Sequence, residues 1–163
     1  MTPEEFKKKL DLAARQIAAK RGDILLLGVK DLEGRMKSRI FNKGLNSDNS
    51  KIGTYSKGWA FIRKNGKPVK GTKGKQRQKP DGLQTNYIDL EFTGDLRRSI
   101  TPAKDGNDAV LYMNNDDKFE IAGFLEEQKK QVIFDATDKE AKAVVTYIDE
   151  LIVDEFKNAI NRL

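Results

Sequence analysis

The C-terminal segment constrains the fold most. Ala141, Val144, Val145, Ile148, Leu151, Ile152, Phe156, Ala159, Ile160 and Leu163 recur at three- and four-residue spacing, the signature of a helix that is apolar along one side. Thr137-Asp138-Lys139-Glu140 immediately before them reads as a capping box. The spacing therefore predicts a helix over 137–163, with an apolar stripe about 36 Å long at 1.5 Å per residue. Such a stripe needs a second layer to lie against, and the rest of the chain must supply it.

The central part of the sequence suggests a sheet for that layer. Tyr87, Asp89 and Glu91 alternate with Ile88, Leu90 and Phe92, as in a strand with one buried face. Thr93-Gly94-Asp95 breaks the alternation, with Thr93 placed to cap a short helical turn over Asp95–Arg98 and Gly94 allowing the chain to change direction. Asp105-Gly106-Asn107-Asp108 predicts a hairpin turn joining 99–103 to 109–114. Strand character is also expected around Trp59, Phe61 and Ile62 within 55–63, and in Val132-Ile133-Phe134. A helix is expected over 117–129, from the spacing of Ile121, Leu125 and Gln128 with Phe119 and Phe124 alongside.

The N-terminal segment, 1–44, is helical in pattern. Thr2-Pro3-Glu4-Glu5 combines a capping box with proline at the first helical position, and Phe6, Leu10, Ala13, Ala14 and Ile17 share one face. Arg21-Gly22-Asp23 interrupts before Leu25, Val29, Leu32, Met36 and Ile40 continue, so the segment is either one kinked helix or an antiparallel pair. The expectation is a single α+β domain over 1–163, with an antiparallel sheet of about four strands packed against N-terminal and long C-terminal helices.

Composition narrows the chemistry. The chain has no cysteine and no histidine, which excludes disulfides, thiolate chemistry and histidine-based catalysis or metal binding. No cofactor or metal is expected. Asp89 and Glu91 on one strand face, with Asp95 nearby, are the nearest approach to a carboxylate cluster for a metal-dependent nuclease, and they read more simply as the wet side of a half-buried strand. The spacing of Asp116, Asp117 and Glu120 matches no calcium loop. Met1-Thr2-Pro3-Glu4-Glu5 is acidic and does not read as a signal peptide, and no apolar run is long enough to span a bilayer, so no membrane partner is expected.

Charge is distributed unevenly. Residues 57–79 hold nine Lys/Arg and no acid, leaving 22 basic against 25 acidic residues elsewhere. Overlapping that run, 64–82 is nearly devoid of apolar side chains and is expected to be a long flexible basic loop. Its candidate interface residues are Arg63, Lys64, Lys67, Lys70, Lys73, Lys75, Arg77 and Lys79. Acidic counterparts are Asp116, Asp117, Glu120, Glu126 and Glu127, with Asp149, Glu150, Asp154 and Glu155 further on. Three uses of the basic run are open: docking on an acidic face of a neighbouring subunit, contact with DNA phosphates, or a solvated surface. Aromatic interleaving of the kind found in single-strand readers is missing between Phe61 and Tyr87.

Five pieces in order carry a resemblance: Tyr55-Ser56-Lys57, the basic loop, Thr93-Gly94-Asp95-Leu96-Arg97-Arg98-Ser99-Ile100, the segment 118–126, and 132–140. Together they resemble the tail-completion and head–tail joining proteins of tailed phages, a group concerned with virion morphogenesis at the neck. The resemblance implies a non-catalytic α+β protein whose copies form a ring, six being the number expected. It also implies a head connector or adaptor on one side and a tail terminator or tail tube on the other. DNA could thread the channel. The expected location is the virion neck or tail top, and the host cytoplasm during assembly. The alternative is a nucleic-acid-binding module using the basic 57–79 segment.

Overall fold

The computed structural model describes residues 2–68, 77–78, 82–91 and 93–161, with Pro68, Arg77 and Gln78 described by their backbone alone. The fold is α+β, and its described residues form two compact units. The first draws on 1–34, 101–112 and 138–163, and the second on 35–100 and 113–137.

Helix α1, Pro3–Lys37, opens as its capping box requires. The Glu5 amide donates to Thr2 Oγ1 at 3.2 Å, and the Thr2 amide donates to Glu5 Oε2 at 2.7 Å. The helix then runs without a break through Arg21-Gly22-Asp23, so the segment is not an antiparallel pair. Gly22 serves close approach instead. A Cβ there would stand 2.8 Å from the carbonyl oxygen of Gly106, at the tip of the hairpin formed by β3 (Ile100–Asp105) and β4 (Asp108–Met113). Two ion pairs flank that contact, Arg21 to Asp108 at 2.8 Å and Lys104 to Asp23 at 2.7 Å. Gly28 plays the same part further along α1, where a Cβ would meet Ile148 Cγ1 at 2.7 Å. Ile148 belongs to the C-terminal helix (labelled α5 below), Asp138–Asn161, which begins one residue after Thr137 as its capping signal predicts. Ala13, Ile24, Val144 and Ala159 are buried in this unit, and Lys20 pairs with Glu155 at 2.6 Å across α1 and the C-terminal helix.

The hairpin forms where its turn residues place it. Its two-residue loop, Gly106-Asn107, has glycine at positive φ (+59°) in the first loop position. Exposure alternates along β4, with Val110 and Tyr112 facing outward.

The second unit departs most from expectation. Residues 57–65 form a helix, α2 (Lys57–Asn65), not a strand. Ser56 caps it, accepting from the Trp59 amide at 3.4 Å, and Gly66 ends it at φ +77°. The β preference of Trp59, Phe61 and Ile62 is outweighed by these local start and stop signals. Residues 87–91 are irregular, since Leu90 sits at φ +52° and Ile88 and Asp89 are both buried, which no alternating strand allows. Residues 132–134 form no strand either. The described strands therefore make two separate two-stranded ladders, β3–β4 and the short β1–β2 (Lys67–Pro68 with Arg77–Gln78), in place of one sheet of about four strands.

A buried arginine takes over the work of the missing strand pairing near residue 133. Arg39 lies in a π-helical turn, Ser38–Asn42, that follows α1. Its guanidinium donates to three main-chain carbonyls, Leu45 at 3.2 Å, Ile133 at 3.1 Å and Asp135 at 2.6 Å. Ile40, Phe41, Ile52, Ile88, Leu96 and Ile133 fill the adjoining core. The short helix α3, Asp95–Ser99, follows Gly94 at φ +78°, and Thr93 Oγ1 accepts from the Asp95 amide at 3.4 Å while donating to its carboxylate at 2.6 Å. Helix α4, Asp116–Lys129, is capped by Asn115, whose side chain accepts from the Lys118 amide at 3.1 Å.

Candidate functional site

A second buried arginine organises α2 and the chain that follows it. Arg63 is 2% exposed, and its Nη2 donates to Asp89 Oδ2 at 2.7 Å. The same guanidinium donates to the carbonyls of Gln84, at 2.9 Å, and Glu91, and it stacks 4.4 Å from the centre of the Tyr55 ring. Asp89 in turn accepts from the Tyr55 hydroxyl at 2.8 Å, from the Glu91 amide at 3.0 Å and from the Gln84 side-chain amide. Burial, reinforced by the hydrogen bond and charge of Asp89, pushes the Tyr55 hydroxyl well above the usual phenol range. Every polar atom of this cluster is committed. Asp89 is neither a wet strand residue nor a free base, and Arg63 leaves the exposed basic set for the same reason.

The remaining basic positions separate by location. Lys64 is exposed on α2. Lys67 is exposed in β1, its ammonium 5.7 Å from the Trp59 ring centre. Arg77 lies in β2, opposite Pro68. Lys70, Lys73, Lys75 and Lys79, and with them most of the expected 64–82 loop, lie outside the described residues.

The acidic positions lie along α4. Asp116, Asp117, Glu120 and Glu127 are exposed. Glu126 is structural: its Oε1 accepts from the Ile133 amide at 2.6 Å and the Phe134 amide at 2.9 Å. Those amides have no strand partner to meet, so a carboxylate one turn from the end of α4 supplies the acceptor.

Both helices show an outward face that sequence reading by composition missed. On α2, Lys57, Phe61 and Lys64 follow the i, i+4, i+7 spacing opposite buried Arg63, with Phe61 55% exposed. On α4, Asp117, Glu120, Ile121, Phe124 and Glu127 form the corresponding row opposite buried Ala122, with Phe124 62% exposed. Phe119, on a different side of α4 from that row, is 68% exposed. The signal that could have found both rows is the 3.6-residue period applied to charged and aromatic side chains together.

In the first unit, α1 and α5 (the C-terminal helix, Asp138–Asn161) leave an apolar groove between Ile17, Ile24, Ile148, Ile152 and Phe156, with Arg21 at its edge. It offers no nucleophile or acid–base pair. Among the described residues there is no group of three or more Asp or Glu arranged to hold a metal ion, and no helix long and apolar enough to cross a membrane. Comparison with protein-family models, curated proteins and solved structures finds no match to this chain.

Proposed function

We propose that this protein is a non-catalytic structural component of a tailed-phage virion, acting at the neck or tail top. Copies of the chain form a ring that joins the head connector to the tail, six being the number the family resemblance implies. Its neighbours are a connector or adaptor protein above and a tail terminator or tail tube protein below. The reading starts from the ordered motifs between Tyr55 and Glu140.

The observation that carries it is the exposure of aromatic side chains on charged helices: Phe61, Phe119 and Phe124 are each more than half exposed. Exposed aromatic side chains set among charges offer the kind of surface that a neighbouring subunit can cover. The buried, fully hydrogen-bonded state of Asp89 agrees with a scaffold role, because the strongest acid candidate is neutralised by Arg63. Native mass spectrometry and negative-stain electron microscopy test the proposal. A closed ring that loosens as salt rises is expected, and a monomer at all concentrations refutes it.

One observation favours a second reading, in which the nine basic residues of 57–79 hold nucleic acid. A gel-shift titration separates the two. Tight duplex binding by the monomer, falling steeply with salt, selects the nucleic-acid module.

A further inference from the structure

We infer that the outward face of α2 in one copy docks on the outward face of α4 in the next, making a heterologous contact between two copies of this chain. The inference rests on the ring reading above and specifies which surfaces meet. Each face is a row along one side of a helix. The α2 row places Phe61 between Lys57 and Lys64, and the α4 row places Ile121 and Phe124 among Asp117, Glu120 and Glu127.

The two rows complement each other in both respects that matter. Phe61, 55% exposed, requires an apolar surface to leave water, and Ile121 and Phe124, 43% and 62% exposed, provide one. The lysines on either side of Phe61 then face carboxylates on either side of Phe124. Polynucleotide satisfies only half of this arrangement: phosphates match the lysines of α2 but are repelled by the carboxylates of α4. A second α4 face is excluded by like charge, and so is a second α2 face. A contact between unlike surfaces cannot close as a twofold dimer, so it propagates from copy to copy and closes into a ring when the rotation permits.

The test uses the full chain in three variants. Lys57→Glu with Lys64→Glu reverses the α2 row, Glu120→Lys with Glu127→Lys reverses the charges on either side of Phe124 in the α4 row, and the third carries all four changes. All four positions are exposed helix surface, and far-UV circular dichroism with thermal melts checks that folding is retained. Sedimentation velocity over a concentration series reads self-association. Each single-face reversal is expected to weaken association about tenfold or more, and the four-fold variant is expected to regain it because the charges again oppose. Phe61→Gln, which leaves the charges alone, is expected to weaken association as well.

The outcomes separate the contact from the ring. If the wild type assembles and both reversals assemble equally well, this contact is wrong while the ring stands. Failure of the wild type to assemble at any concentration removes the ring reading and this contact with it. Loss of duplex-DNA retention in the α2 variant, with self-association unchanged, assigns the lysine row to nucleic acid and overturns the proposal.

Discussion

Asp89→Ala is the most informative single perturbation of this fold. The aspartate accepts from four donors, Arg63, Tyr55, the Glu91 amide and the Gln84 side chain, and its carboxylate is the countercharge to the Arg63 guanidinium. Truncation leaves a guanidinium that is 2% exposed without its ion-pair partner. Breaking a buried pair from one side costs about 3–5 kcal/mol, because the remaining charge stays out of water. Two carbonyl acceptors, Gln84 and Glu91, remain for Arg63, which places the expected loss near the lower end, about 3 kcal/mol. That is a large share of the ~5–15 kcal/mol typical of a domain. Urea denaturation followed by circular dichroism measures it as a fall in midpoint at unchanged slope. The paired variant Arg63→Met with Asp89→Leu removes both charges and is expected to recover part of the loss, though not all, since the two carbonyls are left without a donor. A loss below about 1 kcal/mol for Asp89→Ala refutes the argument that this pair is desolvated and structural.

Four further outcomes follow from the same geometry. Arg39→Met removes the donor to the carbonyls of Leu45, Ile133 and Asp135 and is expected to cost about 3 kcal/mol, with faster hydrogen exchange across 131–135. Gly34→Ala, where nothing lies within 4 Å of the new methyl, is expected to gain about 0.5–1 kcal/mol in thermal or urea melts. Gly28→Ala is expected to gain less or lose, because Ile148 Cγ1 would stand 2.7 Å away and must shift. The hydroxyl of Tyr55 titrates higher in the folded state than in the unfolded chain, so its stabilisation is complete below about pH 10 and is lost as pH rises beyond; melting temperatures between pH 8 and 11 are expected to fall more steeply for the wild type than for Tyr55→Phe.

Features governed by a few neighbouring residues were legible in the sequence. The reciprocal Thr2–Glu5 bonds, the Gly106-Asn107 turn and the start of α5 after Thr137 each depend on chemistry within about four positions, and each forms where the residues place it. Features that depend on distant partners were not. Gly22 resembles a helix breaker until the hairpin tip is seen to press against it. Residues 87–91 show a strand's alternation, yet Arg63 draws Asp89 inward together with Ile88. Residues 132–134 are apolar enough for a strand, but Arg39 and Glu126 satisfy their main chain instead. The α2 segment differs from its strand expectation for another reason: the β preference of Trp59, Phe61 and Ile62 is weaker than the helix start at Ser56 and stop at Gly66. Of the five acidic candidates on α4, Asp116, Asp117, Glu120 and Glu127 are exposed, while Glu126 is occupied by the distant Ile133 and Phe134 amides, which its own neighbourhood in the sequence does not reveal. Arg63 shows why a count of basic residues does not measure a basic surface, since a guanidinium can be consumed by carbonyls inside the fold.

The grip of Arg39 has an evolutionary consequence. All three acceptors described above are main-chain oxygens, and an oxygen of that kind is supplied by every amino acid. Selection can therefore rewrite the side chains at positions 45, 133 and 135, within the limits of packing, without loosening the clasp. The arginine itself has no such latitude, because lysine cannot present the same planar fork. In related chains, a fixed arginine facing freely drifting neighbours is the pattern this arrangement would leave behind.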